Sequence, residues 1–279
     1  MSESDIRRVP GPAGQLAVQV QGDSGAPVVF MTHSILSDRT MWDEQAALLV
    51  AQGFRVVRAD TRGHGESDAP DKPDGPCTMA DLVADSVAVL DALGIASAHY
   101  VGLSLGGMSG FGLGLHHAHR LLSLCLCDAR ADMPAAAAAV WPERIATARQ
   151  QGCAALAAST VERWFGKAFV DANPATAQRF LNSASATSAA GFIGCAEAII
   201  GLDYLPRVGE IKTRTALIVG ADDGPLPQAL RDLQGLMAGA TLDVIAGAGH
   251  LPNIDQPAAF NAALLRHLRH LHSTTGASA

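Results

Sequence analysis

The chain has 279 residues, 48% of them hydrophobic, 17% charged and only 5% aromatic, a composition that builds a large aliphatic core and excludes a disordered chain. Its formal net charge of −7 leaves no basic face for a nucleic-acid backbone. Mean hydropathy is positive, +0.18, but the charge-free stretch 98–115 carries six glycines, two serines and a histidine, so it is not a membrane span.

The N-terminal residues MSESDIRRVPGPAG contain no apolar run of signal-peptide type, which makes a cytoplasmic protein the expectation, with the first dozen residues loosely held. Short β-branched runs then alternate with helix-like segments. Strands are predicted over 28–32, 54–60, 98–102 and 121–127, and helices over 41–51, 78–93 and 105–117. Thr78 and Asp81 form a helix start signal and Gly94 a stop. After Asp128 the alternation gives way to an Ala-rich helical block punctuated by Pro134, Pro142, Gly152, Gly166 and Pro174. Strands resume at 216–220 and 242–245, and a closing helix is predicted over 256–271, followed by a loose tail. The reading is a parallel sheet covered on both faces, with a core of 1–129 and 207–279 interrupted by a helical cap over 130–206.

Five cysteines, at positions 77, 125, 127, 153 and 195, show no CxxC or CxxH spacing and read as free thiols of a reducing compartment. The clusters His116, His117, His119 and His267, His270, His272 lie at helix ends and read as surface, not as a metal site. The 102–107 run lacks the lysine and the spacing of a phosphate loop.

The segment Gly102-Leu-Ser104-Leu-Gly106 follows a strand and opens a helix, the arrangement of a nucleophile elbow. A sharp strand-to-helix turn strains the serine backbone, and glycines two before and two after let the chains pass. Ser104 Oγ then stands at the C-terminal edge of the sheet, where open α/β sheets bind ligands. A serine hydroxyl needs a positioned base and an acid that orients it. Gly220-Ala-Asp222-Asp223 and Ala246-Gly-Ala-Gly-His250 close the next two strands, which brings His250 and an acid to the same edge. Asp222 and Asp223 both suit that position, and Asp128, ending another strand, is a third choice. A tetrahedral intermediate also needs donors for its oxyanion. The backbone N–H groups of Leu105, after the nucleophile, and of Ile35, in the loop after strand 28–32, are the candidates; His33 is read as a brace for that loop.

These residues resemble the α/β-hydrolase superfamily, and within it the 3-oxoadipate enol-lactonases. The resemblance runs through Thr40-Met-Trp-Asp43, Arg58-Ala-Asp-Thr-Arg-Gly-His-Gly-Glu-Ser67, Leu90-Asp-Ala-Leu-Gly94, Gly102-Leu-Ser-Leu-Gly-Gly-Met108 and Gly249-His-Leu-Pro-Asn-Ile-Asp-Gln-Pro257. In the helical block it includes Trp141-Pro-Glu-Arg-Ile145, Glu162-Arg-Trp-Phe165 and Gly191-Phe-Ile-Gly-Cys195. Two segments depart from the family pattern, His33-Ser-Ile-Leu36 and Asp223-Gly-Pro-Leu-Pro227; both border the expected pocket. The resemblance implies an eight-stranded, mostly parallel sheet with an inserted helical lid. It selects Asp223 as the acid of a Ser104, His250, Asp223 triad, and implies hydrolysis of a small carboxylated enol-lactone in aromatic-compound catabolism, with no cofactor and no metal. Trp141 and Arg144, early in the insertion, become candidates for binding the substrate, with Arg130 a further cation. The expected partner is a small ester or lactone, with no nucleic acid and no membrane, and a homo-oligomer is left open. The alternatives are a carboxylesterase or C–C hydrolase of the same fold, a perhydrolase side activity, and a non-enzymatic ligand receptor. A carboxylate-nucleophile dehalogenase or epoxide hydrolase is disfavoured by the serine at 104.

Overall fold

A computed structural model describes residues 6–69 and 77–269. Eight strands form one sheet in the order β1-β2-β4-β3-β5-β6-β7-β8. They are β1 (Ile6–Gly11), β2 (Gly14–Gln21), β3 (Val28–Thr32), β4 (Arg55–Ala59), β5 (Ala98–Leu103), β6 (Leu121–Cys127), β7 (Thr215–Gly220) and β8 (Thr241–Ile245). From β4 through β8 every pairing is parallel, while β1 and β2 pair antiparallel. The central strands β3, β5 and β7 are buried along their whole length, which is why their sequences run apolar without alternation.

Of the first dozen residues, expected to be loosely held, those described, 6–12, are not loose. Ile6–Gly11 forms β1, closed onto β2 by a turn between Gly11 and Gly14. Val9 and Leu16, cross-strand partners, are both buried. The burial of this pair fixes the hairpin.

The helices on the sheet are α1 (Asp43–Ala51), α2 (Met79–Ala92) and α3 (Leu105–His116). Residues 39–42 form a 3-10 turn, not the first turn of α1, because Asp38 caps it and diverts the chain. Helix α2 begins with a full capping box: the Thr78 side chain accepts from the Asp81 N–H, and the Asp81 carboxylate accepts from the Thr78 N–H. It is followed by Gly94 at a φ of 64°.

Between β6 and β7 the chain is helical: α4 (Ala135–Ala138), α5 (Trp141–Gln151), α6 (Ala154–Phe165), α7 (Lys167–Ala172), α8 (Pro174–Ala186) and α9 (Ala189–Ile200). After β7 come α10 (Leu226–Leu236), α11 (Pro252–Asp255) and α12 (Pro257–Arg269). The helical block is bound to the sheet edge at several points. The Ser188 N–H donates to Gly63 O, the Ser183 hydroxyl to the Asp38 carboxylate, and the His250 N–H to Trp164 O. Gly63 and Gly191 touch backbone to backbone, and a Cβ on Gly191 would lie 2.5 Å from Gly63 Cα. Among the described residues no single helix is long and apolar enough to cross a membrane.

All five thiols are free and buried. Of the histidines read as surface, His116 and His119 are exposed, but His267 is only 4% exposed and belongs to the buried face of α12. It sits one turn past the buried Ala263 and Leu264, on the same face. His270 and His272 lie outside the described residues.

Candidate active site

Among the described residues, three other than glycine hold a positive φ: Leu36 (62°), Ser104 (54°) and Asp128 (45°). They follow β3, β5 and β6 respectively, at the C-terminal edge of three adjacent strands. Such conformations cost of order 1–3 kcal/mol each and persist only where the surroundings impose them. Their shared location marks this edge as the candidate site.

At Ser104 the imposing contacts are visible. Its N–H donates to Cys127 O at 2.8 Å, and its C=O accepts from the Met108 N–H at 2.8 Å. A Cβ on Gly102 would sit 2.3 Å from Gly106 O, and one on Gly106 only 2.4 Å from Thr32 Oγ1, so strand β5 and helix α3 approach as only glycine allows. Below the turn, Tyr100 Oη donates to Gly106 O at 2.7 Å and pairs with Thr32 Oγ1 at 2.6 Å, tying β3, β5 and α3 together. Ser104 is 5% exposed, and its hydroxyl makes no hydrogen bond among the described residues.

The loop after β3 is braced from beneath. The His33 Nδ1–H donates to Ser34 O at 2.8 Å while Nε2 accepts from the Thr61 N–H at 2.8 Å; the second bond sets the tautomer of the first. Asp60 accepts from the N–H groups of Arg39 and Glu66 and pairs with the Arg39 guanidinium. Arg62 holds Asp85 with two bonds of 2.6 and 2.7 Å. The charges across 58–67 are thus structural: they clamp the loop that carries Ile35. His64, fully buried, is pushed down to about 3 by burial and by His33, so it packs there as a neutral ring. The N–H groups of Ile35 and Leu105 have no hydrogen-bond acceptor among the described residues, and Leu105 is the first residue of α3, where helix N–H groups are free.

His250 and Asp223, the expected base and acid, arrive from the loops after β8 and β7. His250 Nδ1 and Asp223 Oδ2 are 2.7 Å apart. Asp222 is exposed and its N–H is spent on Ala248 O at 2.9 Å, so the structure brings Asp223 and not Asp222 to the histidine. Burial opposes ionisation of Asp223, but His250 and hydrogen bonds from His250 and Asp128 hold it below the usual carboxylate range. No hydrogen bond joins His250 to Ser104; nucleophile–base contacts are often long before substrate binds. Asp128 is buried beside this pair, and side-chain atoms of Asp128, Asp223 and His250 lie within 4.8 Å of one another. Within that cluster His250 Nδ1 is engaged by Asp223 Oδ2, and Asp128 Oδ1 by the Gly220 N–H.

Asp255 braces the backbone next to His250. Its Oδ2 accepts the Gly249 N–H at 2.6 Å, while Oδ1 is buried without a partner. Burial, reinforced by Asp222 and Asp223, pushes it up to about 7. The folded protein therefore binds a proton here that the unfolded chain releases near pH 4, and stability falls as pH rises from about 4 through 7. Asp255→Asn is expected to raise Tm at pH 8 by a few degrees and leave it nearly unchanged at pH 4, as differential scanning fluorimetry would report; an equal shift at both pH values would contradict this.

Of the candidates from the helical block, Trp141 is 9% exposed and packs on Phe192, with ring centroids 6.3 Å apart. Arg144 is half-buried. Its guanidinium lies 5.6 Å from the Trp141 ring centroid and 5.8 Å from that of Phe192, and donates to Thr160 Oγ1 at 2.9 Å. Burial and the nearby Arg163 lower it to about 10, which still leaves it cationic at neutral pH. Arg130 is engaged by Asp132 at 2.9 Å. The sequence reading missed Arg163. It shares with Trp141 and Arg144 the wall of a cleft of about 410 Å³, and it acts electrostatically on Asp223. It keeps an exposed surface, yet desolvation by surrounding protein lowers its pKa. Among the described residues no carboxylate pairs with either guanidinium. The signal was available in part: Arg163 directly precedes the buried Trp164, whose carbonyl holds His250.

A family profile described as alpha/beta hydrolase fold matches residues 27–257. The 3-oxoadipate enol-lactonase 1 of Acinetobacter baylyi is 32% identical over 250 residues, covering 88% of this chain and 90% of its own. Among solved structures, the enol-lactonase from Burkholderia xenovorans LB400 superposes with a TM-score of 0.89 at 32% identity, over 94% of this chain and 100% of its own. A thermophilic esterase from Thermogutta terrifontis, solved with malate bound, superposes with a TM-score of 0.87 at 25% identity, over 96% of this chain and 100% of its own.

Proposed function

The chain belongs to the alpha/beta hydrolase fold family, and from that premise we propose that it is a serine hydrolase that opens a small carboxylated enol-lactone, with Ser104 as nucleophile, His250 as base and Asp223 as acid. The observation that carries this reading is the 2.7 Å bond between His250 Nδ1 and Asp223 at the sheet edge where the strained Ser104 stands.

With Nδ1–H held by Asp223, His250 presents Nε2 as the proton acceptor. Ser104 Oγ attacks the lactone carbonyl carbon and its proton passes to Nε2. The oxyanion is met by the N–H groups of Ile35 and Leu105. Collapse breaks the ring C–O bond, and the proton on His250 goes to the departing enolate oxygen, giving an acyl-enzyme whose tethered enol becomes a ketone. His250 then takes a proton from water as the water attacks the ester, and returns it to Ser104 as the free acid leaves. The reaction consumes one water and needs no electron transfer.

The helical block over 130–206 is the lid in this reading, and the substrate carboxylate is held by the cations of its cleft, Arg144 and Arg163, with Trp141 as the apolar wall. Charge-assisted bonds to a carboxylate are worth about 1.5–3 kcal/mol each. Steady-state kinetics on 3-oxoadipate enol-lactone and on p-nitrophenyl acetate test it. Arg144→Ala and Arg163→Ala are expected to raise KM for the lactone about tenfold or more while changing the neutral ester by less than about twofold. Equal effects on both substrates would remove the arginines from binding, and absence of lactone turnover beside good ester turnover would favour the second reading, a carboxylesterase, to which the Thermogutta terrifontis likeness points.

A further inference from the structure

Asp128 is not used by the triad, yet it is the most unusual residue at its edge. It is 0% exposed and sits at a φ of 45° directly after β6. Its N–H donates to Ile218 O at 2.9 Å and its Oδ1 accepts the Gly220 N–H at 2.9 Å. These bonds anchor it to β7, three residues before Asp223. Its Oδ2 is buried and meets no protein donor, and its carboxyl clusters with that of Asp223 and the His250 ring, side-chain atoms of the three lying within 4.8 Å of one another.

Two carboxyls this close in a buried site do not both ionise readily, so one of them keeps its proton. The surrounding groups decide which carboxyl keeps it. Asp223 faces the His250 N–H at 2.7 Å and the Arg163 guanidinium, both of which favour its charge. Asp128 faces Asp223, Asp255 and the thiol of Cys127, and has only one backbone donor. Burial and the Asp223 charge push Asp128 well above the usual carboxylate range.

We propose that Asp128 is a positioning residue: a neutral carboxylic acid whose O–H donates to Asp223 and holds that carboxylate aimed at His250. The inference rests on the Ser104, His250, Asp223 reading. It explains why the chain holds a strained aspartate here, since the strain points a proton donor into the rear of the acid. It also keeps one negative charge, not two, behind the base, so that the imidazolium formed during attack remains acidic enough to release its proton.

The test compares kcat/KM against pH for the wild-type enzyme, Asp128→Asn and Asp128→Ala on p-nitrophenyl acetate, with Ser104→Ala as control. Asparagine is neutral, donates through its amide, accepts from Gly220 and tolerates a left-handed backbone. It is expected to keep kcat within about threefold and leave the acid limb of the profile in place. Alanine removes the donor; kcat is expected to fall about tenfold at little change in KM, with the acid limb moved to higher pH as the Asp223 carboxylate gains basicity. An infrared difference spectrum of the wild type minus Asp128→Asn at pH 7 is expected to contain the C=O stretch of a protonated carboxylic acid, a readout that survives even if the alanine variant does not fold. The proposal is overturned if Asp128→Asn loses activity as severely as Asp223→Asn or moves the acid limb to lower pH, either of which means an ionised Asp128. It is equally overturned if the alanine variant folds with unchanged kinetics, or if the infrared band is missing. Failure of the triad reading looks different: Ser104→Ala would then keep its rate whatever Asp128 does.

Discussion

Ser104→Ala is expected to lower kcat by at least about 10⁴-fold on any ester or lactone the enzyme turns over, with Tm within about two degrees of the wild type. The reasons are local. The Ser104 hydroxyl makes no hydrogen bond among the described residues, and it does not cap α3, so its removal takes away the proposed nucleophile and no structural bond. The elbow itself is held by the Ser104 N–H on Cys127 O and by the close approach of Gly102 to Gly106, none of which an alanine disturbs. Residual turnover would come from the remaining N–H donors and from binding. Stopped-flow kinetics beside a thermal melt measure both quantities, and a rate of the wild-type order would remove Ser104 from the chemistry.

Asp223→Asn should be nearly as severe, about 10⁴-fold in kcat, because an amide NH₂ facing Nδ1 favours the wrong imidazole tautomer and leaves the imidazolium without its counter-charge. Asp222→Asn, one residue away, should change kcat by less than about twofold. The contrast follows from geometry: Asp223 Oδ2 lies 2.7 Å from His250 Nδ1, whereas the Asp222 side chain is exposed and only its N–H is bonded, to Ala248 O. Side-by-side kinetics of the two variants check the ranking; similar losses, or the reverse order, would move the acid.

Much of this site is legible in the residues because its local rules are strict. A turn as tight as the one at Ser104 needs glycine at 102 and 106, and a helix start such as that of α2 needs the Thr78 and Asp81 pair, so both declare themselves in the sequence. The apolar runs of β3, β5, β6 and β7 do so too, being covered on both faces. The N-terminal hairpin does not. Its strand β1 is mostly exposed and charged at Arg7 and Arg8, and only pairing with β2, not local pattern, makes it a strand. The choice between Asp222 and Asp223 depends on how a loop turns after β7, which periodicity does not encode. Arg163 was hidden, and Asp128 was visible only as a third candidate for the acid, for a different reason: their places depend on neighbours more than 50 residues away in the chain, Asp223 for the first and Gly220 and Asp223 for the second. Long-range electrostatics of this sort leaves no spacing to read.

The central claim is that Ser104 forms the acyl-enzyme in lactone opening. Titration with a fluorophosphonate, followed by intact mass and peptide mapping, tests it most directly, with residual 3-oxoadipate enol-lactone hydrolysis followed on the same samples. One adduct per chain, on Ser104, and loss of lactone hydrolysis in proportion to labelling are the expected results. Lactone hydrolysis that persists in fully labelled enzyme, or an adduct on another residue that tracks the loss, would contradict it.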